Sequence, residues 1–305
     1  MSYPIAIVTA DWHLSSTCPP ARSGEKDWFK AMERSLTFLF QQARMHNIPI
    51  LVAGDIFDHW KATPELINFC LDVFPRDVDI FSIPGQHDLP NHSYTEINKS
   101  AYMTLIKSGL IKDTYDKSHL LFSDLYVRLA GWEQDLCIPP KKNTFSCNLG
   151  LIHKYLWVPD ASYPNAPMSS KVTKKLIKSY AGYDIIVSGD NHKHFSTSTK
   201  PMFYNCGALF RRKSDEIDYK PSFGIVSSDK TVERVFIPTH EEVISPTTKI
   251  SESLSNFDIA SYLKNIKRTD SLDFLQALDN ILEKSSDVSK EVIKLITEVC
   301  DEFRR

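Results

Sequence analysis

The sequence predicts an α/β fold built on a parallel sheet. Three features predict it: short apolar runs of strand length, amphipathic helical segments between the first three of them, and polar residues at the end of each run. Residues 4–10, PIAIVTA, are the first run, and 48–54, IPILVAG, the second. Between them, residues 25–46 carry Phe29, Met32, Leu36, Leu39, Phe40 and Ala43 at helical spacing. Thr63-Pro64-Glu65 offers a capping hydroxyl, a proline at the first helical position and an acid in the first turn, which predicts a helix through about Phe74. The third run, 78–83, follows that helix. Two strand–helix–strand units in succession imply right-handed crossovers, and ligands bind such sheets at the carboxyl ends of the strands.

The middle of the chain repeats the pattern with less helix. LYVRLAGW (125–132), CNLGLIHKY (147–155), YDIIVSGDNHKH (183–194) and MFYNCG (202–207) read as strands running into turns, and 223–238 reads as a hairpin around Ser228-Asp229-Lys230. Ser, Thr and Lys around 245–256 read as a linker. Beyond it, Asp270 caps a stripe of Leu272, Leu275, Leu278 and Leu282, and Val288, Val292, Ile296, Val299 and Phe303 form a second stripe. The expected organisation is one domain over 1–245 and a linker with a small helical tail over 246–305. With 305 residues and 42% hydrophobic content, the chain can bury a sizeable core.

A formal charge of −2 gives no net pull toward nucleic acid or membrane, so polyanion binding would need a local basic patch or bound metal. The six cysteines form no C-x-x-C pair, and MSYPIAIVTADWH lacks a basic region followed by a long apolar stretch. Free thiols and a cytoplasmic protein are expected. No apolar run approaches the roughly 20 residues that a membrane helix needs.

Five strand ends carry one kind of chemistry: Asp11-Trp-His13, Gly54-Asp55-Ile-Phe-Asp58, Gly85-Gln86-His87-Asp88, His153, and Gly189-Asp-Asn-His192-Lys-His194. A single histidine after a strand is ordinarily a satisfied core or surface residue. Five of the ten histidines at successive strand ends is a different pattern. Carboxylates mixed with imidazoles suit manganese, iron or zinc better than magnesium or calcium, and the absence of cysteine from these turns argues against a structural zinc site. The donors exceed what one ion needs. Two ions about 3.5–4 Å apart with a shared carboxylate would use them, and such a pair clamps a phosphoryl group.

The order Asp-x-His, Gly-Asp-x-x-Asp, Gly-(Asn)-His-Asp, His, Gly-x-(x)-His-x-His is similar to that of the calcineurin-like metallophosphoesterases, over roughly residues 5–240. Within that superfamily, DWHL, AGDIFD and the following TP resemble the SbcD-type nuclease subunit of bacteria and phages. The resemblance implies a double β-sheet sandwich, two mixed sheets flanked by helices, with the small helical tail. It implies that Asp11, His13 and His194 hold a first metal, that Asp55 bridges, and that Gln86, His153 and His192 hold a second. His87, paired with Asp88, would protonate the leaving oxygen, and Asp58 would orient a ligand rather than bind metal. Two departures stand out. Gln86 occupies the family's usual Asn position, with the same amide oxygen on a stem one methylene longer. The last motif carries an extra residue between Gly189 and His192.

The implied function is manganese-dependent hydrolysis of DNA by an exonuclease, with endonuclease activity left open, working beside an SbcC-type ATPase onto which the tail would dock. Relatives of this kind often dimerise, so a second copy of the chain is a candidate partner. Two alternatives stay open: a phosphodiesterase or phosphatase for small nucleotides or phosphoproteins, and a binding subunit weakened at Gln86. Lys171, Lys174, Lys175 and Lys178 fall on one helical face and offer a track for DNA phosphates, against the ordinary reading of a solvated face. Arg211-Arg212-Lys213 offers further phosphate contacts. His59 and His92 flank the metal motifs. Trp12 and Trp60 could stack a base, although packing is the commoner use.

Overall fold

The computed structural model describes residues 2–114, 117–137, 139 and 145–244. The expected tail helices and linker lie outside the described residues, as do the domain boundary at 245 and the sixth cysteine, Cys300. The first half runs β1 (Pro4–Thr9), α1 (Trp28–His46), β2 (Ile50–Val52), α2 (Pro64–Val73), β3 (Ile80–Ser82) and α3 (Ala101–Lys107). The second runs β4 (His119–Leu121), β5 (Leu125–Ala130), β6 (Cys147–His153), α4 (Lys174–Ser179), β7 (Ile185–Gly189), β8 (Phe195–Ser196), β9 (Met202–Asn205), β10 (Ser222–Ser227) and β11 (Val232–Phe236).

These strands form two mixed sheets, one ordered β11-β10-β1-β2-β3 and the other β4-β5-β6-β7-β9-β8. The crossovers expected from the first three apolar runs are present, since β1 pairs parallel with β2 and β2 with β3. β10 joins β1 antiparallel and closes the predicted hairpin onto β11, with Lys230 in the left-handed region at the turn. In the second sheet β5, β6, β7 and β9 run parallel, and antiparallel β4 and β8 form its edges.

Strand periodicity sorts the side chains into layers. Ala6, Val8, Leu51 and Ala53 face Val127, Leu149, Leu151, Ile185 and Val187 in the core between the sheets. The alternate residues Ile7, Ile50, Val52 and Ile80 pack outward against α1, whose Met32, Leu36, Leu39 and Phe40 are at most 1% exposed. Each such side chain contributes roughly 1.5–3 kcal/mol by leaving water. On the far face Ile152, Ile186 and Phe203 pack against Leu176 and Ile177 of α4. Both helices following β1 and β2 open on side-chain caps: Asp27 accepts from the Lys30 N–H at 3.1 Å, and Thr63 from the Leu66 N–H at 3.2 Å.

Trp12 belongs to this core, fully buried and edge-on to Phe40 and Phe74, so it cannot stack a base. Lys171 is corrected as well. Thr173 caps α4 at its start, so only Lys174, Lys175 and Lys178 lie on the helix, while Lys171 sits before it over the Trp157 ring at 5.1 Å. Among the described residues five cysteines are free, and no helix is long and apolar enough to cross a membrane.

Candidate metal centre

The ends of β1, β2, β3, β6 and β7 deliver the site. Backbone N–H groups of Asp11 and His13 donate to the carbonyls of Gly54 and Asp55, each at 3.0 Å, which lashes the first two turns side by side. Those turns need unusual backbone. Asp11, His13, Asp55 and Asp190 all hold positive φ, at 52°, 45°, 54° and 74°. Strain of this kind, of order 1–3 kcal/mol per residue, persists where surrounding structure enforces it and collects at functional sites. Gly54, at φ +90°, and Gly85 are required by close approach, since a Cβ would strike His153 at the first and Asp55 at the second.

Three groups of side chains each bring one donor atom within 4.8 Å of the others: Asp11, His13 and His192; Asp11, Asp55 and His153; and His13, Asp58 and His87. In the first, Nε2 of His13 and Nε2 of His192 lie 3.0 Å apart. In the second, Asp55 Oδ2 is 3.4 Å from His153 Nε2, and it also lies 3.8 Å from His13 Nε2, so one carboxylate faces both groups. That oxygen is fully buried and accepts no hydrogen bond. The third group already holds a cation, because Arg212 Nη1 sits 2.6 Å from Asp58 Oδ1. Asp58 in turn lies 3.4 Å from His13 Nδ1, where it can orient that ring.

Burial pushes His13 down, pushes His192 down to about 3, and drives Asp11 well above the usual carboxylate range. Burial acts on His153 in the same sense, but the Asp55 and Asp11 carboxylates outweigh it and hold the ring up to about 10. Asp55 is held well below its usual range: burial opposes this, and His153 and His13 overcome it. His153 Nδ1 donates to the Ala53 carbonyl at 2.6 Å, which fixes the ring's orientation and turns Nε2 toward the carboxylates. Buried carboxylate oxygens and imidazole nitrogens that converge within 4.8 Å of one another fit divalent cations.

The structure rearranges some expected partners. His192, expected with Gln86 and His153, lies instead with Asp11 and His13. His194 enters none of the three groups; its ring packs edge-on to Tyr204, 5.0 Å between centroids, and its Nδ1 is buried without a partner. Gln86 Oε1 does meet His153 Nε2, at 2.6 Å. His87 is not paired with Asp88. Its Nδ1 lies 2.7 Å from the Asp58 carbonyl, which leaves Nε2 as the ring's free nitrogen. The Asp88 carboxylate accepts instead from the backbone N–H groups of Ile56, Phe57 and Gly85, stitching the Asp55 turn to the Gly85 turn, and burial pushes it up to about 7.

Arg211 is likewise spent on structure, bonded to Glu242 and to the carbonyls of Ile217 and Thr239. Arg212 and Lys213 face the site. They line a cleft of about 500 Å³ with His13, His87 and His192, and Lys213 and His192 also line a second cleft of about 390 Å³ with Tyr163, His194, Tyr219 and Arg234. His59 is exposed and stacked on Trp60, and His92 lies 6.5 Å from Trp132 between centroids. One residue, Asp190, was missed from the sequence, and so was one pairing, that of the expected phosphate contact Arg212 with Asp58. Asp190 was readable in principle, as a carboxylate directly after Gly189 in a donor-bearing turn.

Residues 6–194 match the calcineurin-like phosphoesterase family. No curated protein matches the chain. Among solved structures, TT1561 of Thermus thermophilus is 9% identical, covering 77% of this chain and 100% of its own at a TM-score of 0.46. A dimetal phosphatase from Danio rerio is 12% identical, with 77% and 99% covered and a TM-score of 0.45.

Proposed function

The chain belongs to the calcineurin-like phosphoesterase family, and from that premise we propose that it is a DNA exonuclease of SbcD type, using two manganese ions beside an SbcC-type ATPase. Metal-dependent phosphoester hydrolysis is the coarser activity, and the family and the donor groups together give it. The observation that carries the finer reading is the pair of clefts that share His192, Lys213 and Glu216. A diester has a substituent on each side of its phosphorus, and two clefts that meet at His192, Lys213 and Glu216 offer room for both.

In this reading Asp11, His13 and His192 would hold one ion and Asp55, His153 and Gln86 the other, with the Asp55 carboxylate facing both donor groups. Ions held there supply Lewis-acid polarisation of the phosphoryl group and acidify the attacking water. His87, with Nδ1 committed to the Asp58 carbonyl, presents Nε2 toward the cleft it lines and protonates the departing oxygen. Arg212 and Lys213 bind the phosphate, and Lys174, Lys175 and Lys178, all exposed, extend the basic surface. Asp88 sets the geometry of the His87 turn without touching substrate.

One observation favours a second reading. Asp160, Asp215 and Glu216 line the second cleft beside its cations, which suits a small nucleotide diester better than a long polyanion. Nucleotide release from linear single- and double-stranded DNA with manganese, run beside a generic aryl phosphodiester and an Asp55→Ala control, separates the two. DNA degraded by the wild type and spared by the control supports the nuclease; aryl ester cleaved with DNA untouched moves the assignment to a small-substrate phosphodiesterase.

A further inference from the structure

The Gln86 side chain has two ends of the same shape and opposite chemistry. An amide oxygen can hold a cation and an amide NH2 cannot, so the side chain serves a metal only in one of its two flipped orientations. The surroundings choose between them. Nε2 of Gln86 lies 2.8 Å from Asp190 Oδ1, and a carboxylate can only accept, so the NH2 end is committed to Asp190. The oxygen end is thereby turned to His153 Nε2, at 2.6 Å, beside Asp55. Asp190 is itself fixed at φ 74°, with its N–H donating to both oxygens of Asp11 at 2.9 and 3.1 Å. One residue therefore holds Asp11 through its backbone and Gln86 through its side chain.

We propose that Asp190 is the positioning residue that makes Gln86 a metal ligand. Its carboxylate pins the amide with oxygen inward, and this anchorage offsets the longer and freer stem that Gln86 has in place of the family's Asn. The inference rests on the two-ion reading of the site. Removing the anchor lets the amide flip and point NH2 at the ion, so the loss falls on the ion shared by His153 and Asp55. Outer partners of this kind are worth about 10–100-fold in metal affinity.

The test is a calorimetric titration of the metal-free full chain with manganese, with bound ions counted after equilibration. Asp190→Gly is the first variant, because glycine accepts the positive φ and keeps the N–H to Asp11. It should keep the tighter ion and the thermal midpoint of the metal-free chain, and bind the second ion roughly 10–100-fold more weakly. The second is the double variant Q86E/D190G. A carboxylate has no wrong end, so the second ion should return toward wild-type affinity without Asp190. Unchanged affinity for both ions in D190G, or no recovery in Q86E/D190G, overturns the role of Asp190 while leaving the two-ion reading intact. A wild-type chain that takes up a single ion overturns both.

Discussion

Two clusters of buried charge among the described residues differ in one respect. Beside α1, Arg22 is 1% exposed and pairs with Glu25 at 2.7 Å and Glu242 at 3.5 Å; Arg211 meets Glu242 at 2.6 Å and Arg34 meets Glu25 at 3.3 Å. Every buried charge there faces its opposite. At the strand ends Asp11 and Asp55 face imidazoles, two of them pushed down by burial, and Asp55 Oδ2 has no hydrogen bond at all. Both clusters bear the cost of desolvation. The first recovers it with fixed arginines; the second has only the His153 proton and leaves Asp55 Oδ2 without a hydrogen bond, a deficit that a divalent cation would fill.

The sharpest way to break this contrast is to remove the unbalanced charge. Asp55→Asn keeps an oxygen for the His87 N–H, which is 2.9 Å away, and deletes the anion facing both donor groups. Hydrolysis of the aryl diester should fall to background and manganese uptake should collapse, while the metal-free chain melts close to the wild type. A large loss of metal-free stability instead would make Asp55 a structural charge like Glu25.

Next in size is His87→Ala. A general acid contributes roughly 10²–10⁴-fold, so turnover should drop by that factor with the number of bound ions unchanged. Loss of an ion in calorimetry would reassign His87 to the metal. Breaking the balanced cluster should give the reverse outcome: Arg22→Met leaves Glu25 and Glu242 short of a buried partner and should cost about 3–5 kcal/mol in urea unfolding. Activity per folded molecule should not move. Urea titration read beside ion counting checks both halves.

The smallest effect is a pH dependence. Burial tends to raise Glu25, but the Val243 N–H, the hydrogen bond from Arg22 and the Arg22 charge together hold it below its ordinary 4.5. Its stabilisation is therefore complete above that ordinary value and is lost as pH falls through the lower folded value. Acid unfolding of Glu25→Gln should lack this component, and superimposable acid-unfolding curves for the two chains would remove Glu25 from the account.

How legible this was from sequence follows from the kind of force involved. β1, β2, β6 and β7 are covered on both faces, so they appear as unbroken apolar runs, and the donors follow where each run stops. The identity of the strand ends was thus readable. Which histidine points where was not. Asp190 turns the chain through positive φ, and that turn, invisible to periodicity, sends His192 toward His13 and His194 toward Tyr204. Asp88 reads as an acid beside a histidine, yet three backbone N–H groups claim it. Lys171 fits a helical spacing of four lysines, but the Thr173 cap starts the helix after it. Arg211 and Arg212 are adjacent and alike in sequence, and only the fold assigns one to Glu242 and the other to Asp58.

The charge left over at the strand ends matches two divalent cations. The most direct test is an equilibrium count of manganese on the chelator-stripped full chain, wild type beside Asp55→Asn. The account predicts two ions per wild-type chain and loss of both in the variant. No ion on the wild type, or equal uptake by the two chains, would contradict it.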